Sequence, residues 1–256
     1  MTERSTWLDP KVLASDQTRV LEEFFGHEAV PEPPKVLLEF VERTAEQGFI
    51  YELYLEPNAL FTQTSDYPGW RVRPNPYFWD LIKSGRLSPD AARLSLGWVA
   101  MEAIRRPPYD GGMQMYENDP LAPKLEQLRN DGKIAVPYWC KHIPLTSRFG
   151  ISAREIDNHI VPVFAQLSQI EEQIKAGTIK AGIPPYMAFN FRGNTAHPEF
   201  GETDTSEWFA DETRDGRRLS GGDSGSGGLA CLDDWIPGYH DGDIGFRLQV
   251  VFSSET

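Results

Sequence analysis

Basic residues are scarce in this chain: 25 Lys and Arg stand against 38 Asp and Glu, a formal charge of −13 at pH 7. That balance excludes nucleic acid and anionic membrane surfaces as expected main partners. Cysteine is nearly absent, with only Cys140 and Cys231. Two are too few for a disulfide scaffold, so free thiols in a cytoplasmic protein are expected. No apolar run approaches the roughly 18 residues of a membrane span, so no membrane insertion is expected. The opening MTERSTWLDPK lacks the apolar core of a secretory signal. The histidines, His27, His142, His159, His197 and His240, show neither His-x-x-x-His nor His-Glu-x-x-His spacing, so no metal site is expected from them. No cofactor is expected either. What is present is apolar mass: 40% hydrophobic and 12% aromatic residues over 256 positions, enough for one large domain or two small ones.

Along the chain, helical signals dominate the front. Val20, Leu21, Phe24 and Phe25 make a short amphipathic piece, and Val36, Leu37, Phe40 and Val41 predict a helix over 35–47 that ends near Gly48. Residues 49–55 read as a strand before Pro57, and Pro76 opens a short buried helix. Ser88-Pro89-Asp90 is a strong helix start, with Ala91, Leu94, Trp98, Met101 and Ile104 as one apolar face. Residues 121–128 predict another helix and 133–139 a strand. Ser152-Ala153-Arg154-Glu155 is a capping box for a helix carrying Ile156, Ile160, Phe164, Leu167 and Ile174, which Pro162 must kink or split. Beyond Gly182 no long helical pattern remains; 185–191 and 248–252 read as strands. The expected fold class is therefore α+β, with a helix-rich region over 1–131 and a β- and loop-rich domain over 132–256.

The segment that resists patterning is 223–243, lying between Gly221-Gly222 and Ile244-Gly245-Phe246-Arg247. Its glycine- and serine-rich start has no Lys-Ser/Thr and no Gly-x-Gly-x-x-Gly before a helix, so a phosphate cradle is not indicated. Gly222-Asp223-Ser224-Gly225 is similar to a serine-protease nucleophile loop, but the front half lacks the strands of that barrel. The acidic set Asp204, Glu207, Asp211, Glu212 and Asp215 offers oxygen ligands for calcium without the spacing of a helix-loop-helix site. A solvated acidic face is the preferred reading. Cys231 has Asp233 and Asp234 as neighbours, which disfavour a thiolate, so it reads as a contact residue.

Glu207-Trp208, then Arg218-Leu219-Ser220-Gly221-Gly222-Asp223, then Ile244-Gly245-Phe246-Arg247 resembles the end of the C-type-lectin-like fold of formylglycine-generating enzymes and their relatives. There the pattern is Trp-Glu-Trp, Arg-Gly-Gly-Ser-Trp and Leu-Gly-Phe-Arg. The resemblance is confined to about 45 C-terminal residues. Ser206 stands for the first tryptophan, and Asp223-Ser224 for Ser-Trp. The enzyme branch needs two nearby cysteines, whereas this segment holds only Cys231; the histidine-rich iron motif of the sulfoxide-forming branch is missing.

The other branch is the variable proteins of diversity-generating retroelements, in prokaryotes and phages, which end in a hypervariable surface loop followed by Ile/Leu-Gly-Phe-Arg. Their randomised positions exclude Lys, Glu, Gln, Met and Trp. Residues 223–243 contain none of these except Trp235, where ordinary composition gives about four. The resemblance thus implies a non-enzymatic, ligand-binding protein, its partner a macromolecule and most plausibly a protein. The implied ligand-binding residues are Asp223, Ser224, Ser226, Cys231, Leu232, Asp233, Asp234, Ile236, Tyr239, His240, Asp241 and Asp243. The implied framework is Trp208, Gly221, Gly222, Trp235, Gly245, Phe246 and Arg247, with Arg247 expected to meet an internal carboxylate. The alternatives are a formylglycine-generating-enzyme-like oxidoreductase using Cys231, and a non-catalytic structural or regulatory protein.

Overall fold

In the computed structural model, residues 9–26, 30–94 and 97–252 are described; His27 lies outside them. Helix α1 (Pro10–Phe25) starts at the Asp9 side chain, which accepts from the Lys11 amide, and α2 (Lys35–Glu46) buries Leu37, Phe40 and Val41. Gly48, at φ +91°, turns the chain into strand β1 (Tyr51–Glu56). Asn75 caps α3 (Pro76–Lys83), whose Phe78, Trp79 and Leu81 are buried.

The helix expected from Ser88 is a single 3-10 turn, Pro89–Ala92, and Gly97–Glu102 forms strand β2 instead. Every residue of β2 is buried. A strand covered on both faces loses its period-2 signature, so the spacing of Trp98 and Met101 imitated a helix.

Helix α4 (Ala122–Asn130) follows as expected. The strand expected over 133–139 is absent; that segment is a loop ending in a 3-10 turn, Tyr138–Cys140. The capping box at Ser152 and Glu155 is formed in both directions and starts α5 (Ala153–Glu155). A π turn, Ile156–Ile160, then leads to α6 (Val161–Leu167), so the break falls just ahead of Pro162. After α7 (Glu171–Lys175) comes strand β3 (Ile179–Gly182).

The segment expected as a strand near 185–191 is helix α8 (Tyr186–Thr195). Each residue from Tyr186 to Asn194 is buried, so no polar face marks its period. Strands β4 (Ser206–Glu212), β5 (Arg218–Gly221), β6 (Asp233–Trp235), β7 (Ile244–Gly245) and β8 (Gln249–Phe252) complete the chain.

The result is a mixed α and β protein with two four-stranded sheets. The first has the order β1-β2-β8-β3 and is antiparallel throughout. Its strands come from both sides of residue 131, and one apolar cluster runs from Leu21 to Phe252. The second has the order β6-β5-β4-β7, with β7 parallel to β4. It draws only on 206–245, and the unpatterned segment hangs from it. No helix among the described residues is long and apolar enough to cross a membrane.

Candidate functional site: a loop surface on a buried ionic frame

Glu207 on β4 and Arg247 just after β7 are both fully buried and meet side by side. Arg247 donates from Nε to Oε2 and from Nη2 to Oε1 of Glu207, each at 2.8 Å. Tyr116 donates its hydroxyl to the same carboxylate at 3.0 Å. Arg247 also donates to the Glu102 carbonyl at 2.7 Å, and its guanidinium lies 3.8 Å from the Phe200 ring centroid. Burial works against the charged form of Glu207, yet Arg247 and Arg106 beside it hold its pKa below the ordinary carboxylate value. A two-pronged, desolvated pair of this kind fixes orientation as well as charge. Trp208 is completely buried and donates its indole N–H to the Ile151 carbonyl at 2.9 Å. Phe246 is equally buried.

A second buried arginine clamps the loop entrance. Arg106 donates to the carbonyls of Gly222 and Phe200, each at 2.6 Å, and to the Thr203 hydroxyl at 2.8 Å. Gly222 sits at φ +100°, a backbone state that side chains resist. A Cβ at Gly221 would overlap the Cys231 carbonyl oxygen. The role of Arg106 was not legible in the sequence: Arg105-Arg106-Pro107-Pro108 carries no pattern that distinguishes a core arginine from a surface one.

From this frame, 223–243 spreads as two 3-10 turns, strand β6 and a turn at 236–239. Asp223 organises the start, its carboxylate accepting from the Gly225 amide and the Ser226 hydroxyl, each at 2.8 Å. Ser224, Ser226, Asp233 and Ile236 are exposed, while Asp223, Leu232, Tyr239, His240, Asp241 and Asp243 are half-buried. A cleft of about 200 Å³ brings Asp223, Ser226, Cys231, Leu232, Asp233, Asp241 and Asp243 together with Ser206, Ser220 and Trp235. Trp235 and Tyr239 stack with ring centroids 4.6 Å apart, and Tyr239 donates to Asp241 at 2.9 Å.

Three of the implied contact residues have other engagements. Asp234 is buried and takes Arg86 at 2.7 Å, Arg217 at 2.8 Å and the Tyr77 hydroxyl at 3.0 Å. It ties the loop to α3 and the 86 turn. Cys231 is buried at 7% exposure, and burial pushes its thiol pKa up. Cys140 belongs to a separate apolar cluster with Ile104, Tyr116, Ile143 and Phe149. His240 bonds Glu155 through Nε2 at 2.8 Å. Burial opposes ionisation of Glu155, but His240 and the Ala135 and Ser152 amides hold its pKa at about 2. The capping-box carboxylate therefore serves the loop as well as its own helix.

The acidic set considered for calcium disperses. Glu207 is buried against Arg247, Asp204 accepts from the Tyr109 amide, Asp211 from the Tyr186 amide, and Asp215 pairs with Arg86. Among the described residues no group of three or more His, Cys, Asp or Glu is arranged to hold a metal. A larger cavity of about 790 Å³ is lined by Ile50, 102–108 and Met115, but none of its lining residues belongs to the loop.

Asp243 is the titratable centre of the cleft. Burial and the neighbouring Asp241 carboxyl raise its pKa to about 7. Its folded-state pKa thus lies above the unfolded value, so its contribution is complete below about pH 4 and is lost as pH rises through about 7. Asp243→Asn is expected to flatten this slope. After allowance for solvent screening in the half-open cleft, the variant should gain roughly 1–2 kcal/mol over the parent near pH 8 and little near pH 4. Urea unfolding at the two pH values checks this; equal slopes for both proteins would rule it out.

No protein-family model, curated protein or solved structure matches the chain.

Proposed function

We propose that the chain is a non-enzymatic binding protein of the C-type-lectin-like class, its 223–243 surface diversified by a retroelement and directed at a protein ligand. The observation that carries this reading is the Glu207–Arg247 pair. It joins the two ends of the resembling segment, Glu207-Trp208 and Gly245-Phe246-Arg247, inside one sheet, with the irregular loop emerging between them. Apart from the half-buried Trp235, the residues implied as framework are buried, whereas Ser224, Ser226, Asp233 and Ile236 face solvent. A frame that holds its shape independently of the loop's exposed side chains is what diversification needs. The loop's mixture of Asp and Ser with Tyr239 and Trp235 suits adaptable protein contact. Burial of Cys231 and the separate location of Cys140 give thiol oxidation chemistry no support.

Sequencing the gene's neighbourhood tests the reading. A near-repeat of the 3′ coding segment beside a reverse-transcriptase gene is expected, with its differences confined to adenines; a locus without that repeat would overturn the proposal. The protein itself offers a second check. Simultaneous exchange of Ser226, Asp233 and Ile236 for other side chains should move stability by no more than about 0.5 kcal/mol per site. A loss of several kcal/mol would mean that these residues hold the fold together.

A further inference from the structure

Beside the loop lies an apolar surface that the resemblance does not include. Trp139 is 62% exposed and Tyr138 80%, and Val136 and Leu145 are exposed nearby in sequence. Trp and Tyr are the side chains that most often anchor protein contacts. This segment is attached to the loop. The Trp139 indole N–H donates to the His240 carbonyl at 3.1 Å, and the Gly150 amide donates to the Asp241 carbonyl at 3.0 Å. Beneath it the small cluster of Ile104, Tyr116, Cys140, Ile143 and Phe149 forms a floor. Trp139, with Tyr138 next to it in sequence, is therefore held at the end of 223–243 where Asp241 and Asp243 lie.

Charge selects the occupant. No Lys or Arg occurs from Leu219 to Phe246. Asp234 is neutralised by Arg86 and Arg217, but Asp223, Asp233, Asp241 and Asp243 line the cleft with no cation paired to them among the described residues. Lys141 places its ammonium 4.9 Å from the Tyr138 ring centroid, so the Tyr138 ring already receives one cation, whereas Trp139 has no such neighbour among the described residues. An exposed indole next to carboxylates attracts a cationic side chain from both sides, by its π face and by charge.

We infer that the docking face extends from the loop onto Tyr138 and Trp139, and that it receives a protein segment presenting a lysine or arginine flanked by apolar residues. The inference rests on the binding-protein reading given above. Within it, Trp139 is a fixed anchor shared by all loop variants, and the loop decides which cationic partner fits around it.

The test pans a random displayed-peptide library against the full chain and measures the enriched peptides against variants. Enriched sequences should carry a recurrent Lys or Arg beside apolar residues, and their binding should weaken as salt is raised past roughly 0.15 M. Trp139→Ala and the double variant Asp241→Asn with Asp243→Asn should each weaken binding about tenfold or more. Trp139→Phe should retain much of it, since it keeps the ring and loses only the bond to His240. Circular dichroism should match the parent throughout. Neutral or acidic enriched peptides, or binding indifferent to Trp139→Ala, would overturn the extended face. If exchange of Asp233 and Ile236 still abolished binding in that case, the loop reading would survive; if it did not, both would fall.

Discussion

Replacing Arg247 by methionine is expected to destabilise the fold by roughly 3–5 kcal/mol, seen as a fall in the denaturant midpoint. Methionine fills much of the volume, so the loss is chiefly electrostatic. Glu207 would be left at 0% exposure with a negative charge, answered only by the Tyr116 hydroxyl and by Arg106, which makes no hydrogen bond to it among the described residues. The carbonyls of Glu102 and Ile104 would lose their donor as well. A buried charge stranded in this way costs far more than the pair contributes over an apolar replacement. The double variant Glu207→Gln with Arg247→Met should therefore recover a large part of the loss, because the amide can still accept from Tyr116 and carries no charge. If the double variant were as unstable as Arg247→Met alone, lost packing rather than stranded charge would be the cause, and the ionic-frame account would be wrong. Arg247→Lys should fall between the two, since one ammonium cannot serve two carboxylate oxygens and the carbonyls together. Acid acts in the same direction: the pair's contribution, tied to a lowered Glu207 pKa, is present above the ordinary carboxylate value and fades as pH falls through the folded one.

Gly221→Ala is the second large effect, expected to cost more than about 3 kcal/mol or to block folding. Its Cβ would overlap the Cys231 carbonyl oxygen and lie 3.1 Å from the Phe209 ring. The oxygen is backbone and cannot rotate away. Relief would require moving the chain between the turn at Gly228–Ala230 and β6, whose Asp233 pairs with Ser220. The loop would then leave its frame. Gly225→Ala is the matched control, because its Cβ would meet nothing closer than the Asp223 carboxylate at 3.4 Å and it sits in an exposed turn. That variant should differ from the parent by no more than about 0.5 kcal/mol. Parent-like stability for Gly221→Ala would show that the loop is not seated as described.

Much of the local structure was legible because its causes are local. The capping box at Ser152, the proline-led start of α3, the glycine stop at Gly48, and the last strand all follow from side chains acting within a few residues. Two of the errors fall where burial is complete, whereas the strand expected over 133–139 fails on a mostly exposed segment that stays a loop. Strand β2 and helix α8 carry no polar face, so their spacing could not tell helix from strand; partners far along the chain decided. For β2 the deciding partner is β8, about 150 positions later.

The site divides the same way. Gly221, Gly222 and Arg247 could be singled out from sequence because each belongs to the motifs that carry the resemblance, which also implied an internal carboxylate for Arg247. That the carboxylate is Glu207, shared with Tyr116, could not. Nor could the engagement of Asp234 by Arg86, or the seating of Trp139 on His240. By itself the sequence determined a mixed α and β chain, its helix caps, and an unpatterned acidic loop with glycines at its entrance. The tertiary structure alone decided which aspartates the loop leaves unpaired with a cation among the described residues, which are engaged by arginines, and that Trp139 of the exposed pair 138–139 bonds the loop at His240. Pairing of buried charge depends on distances set by the whole fold, and residues some 40 to 150 positions apart acquire those distances only when the core closes.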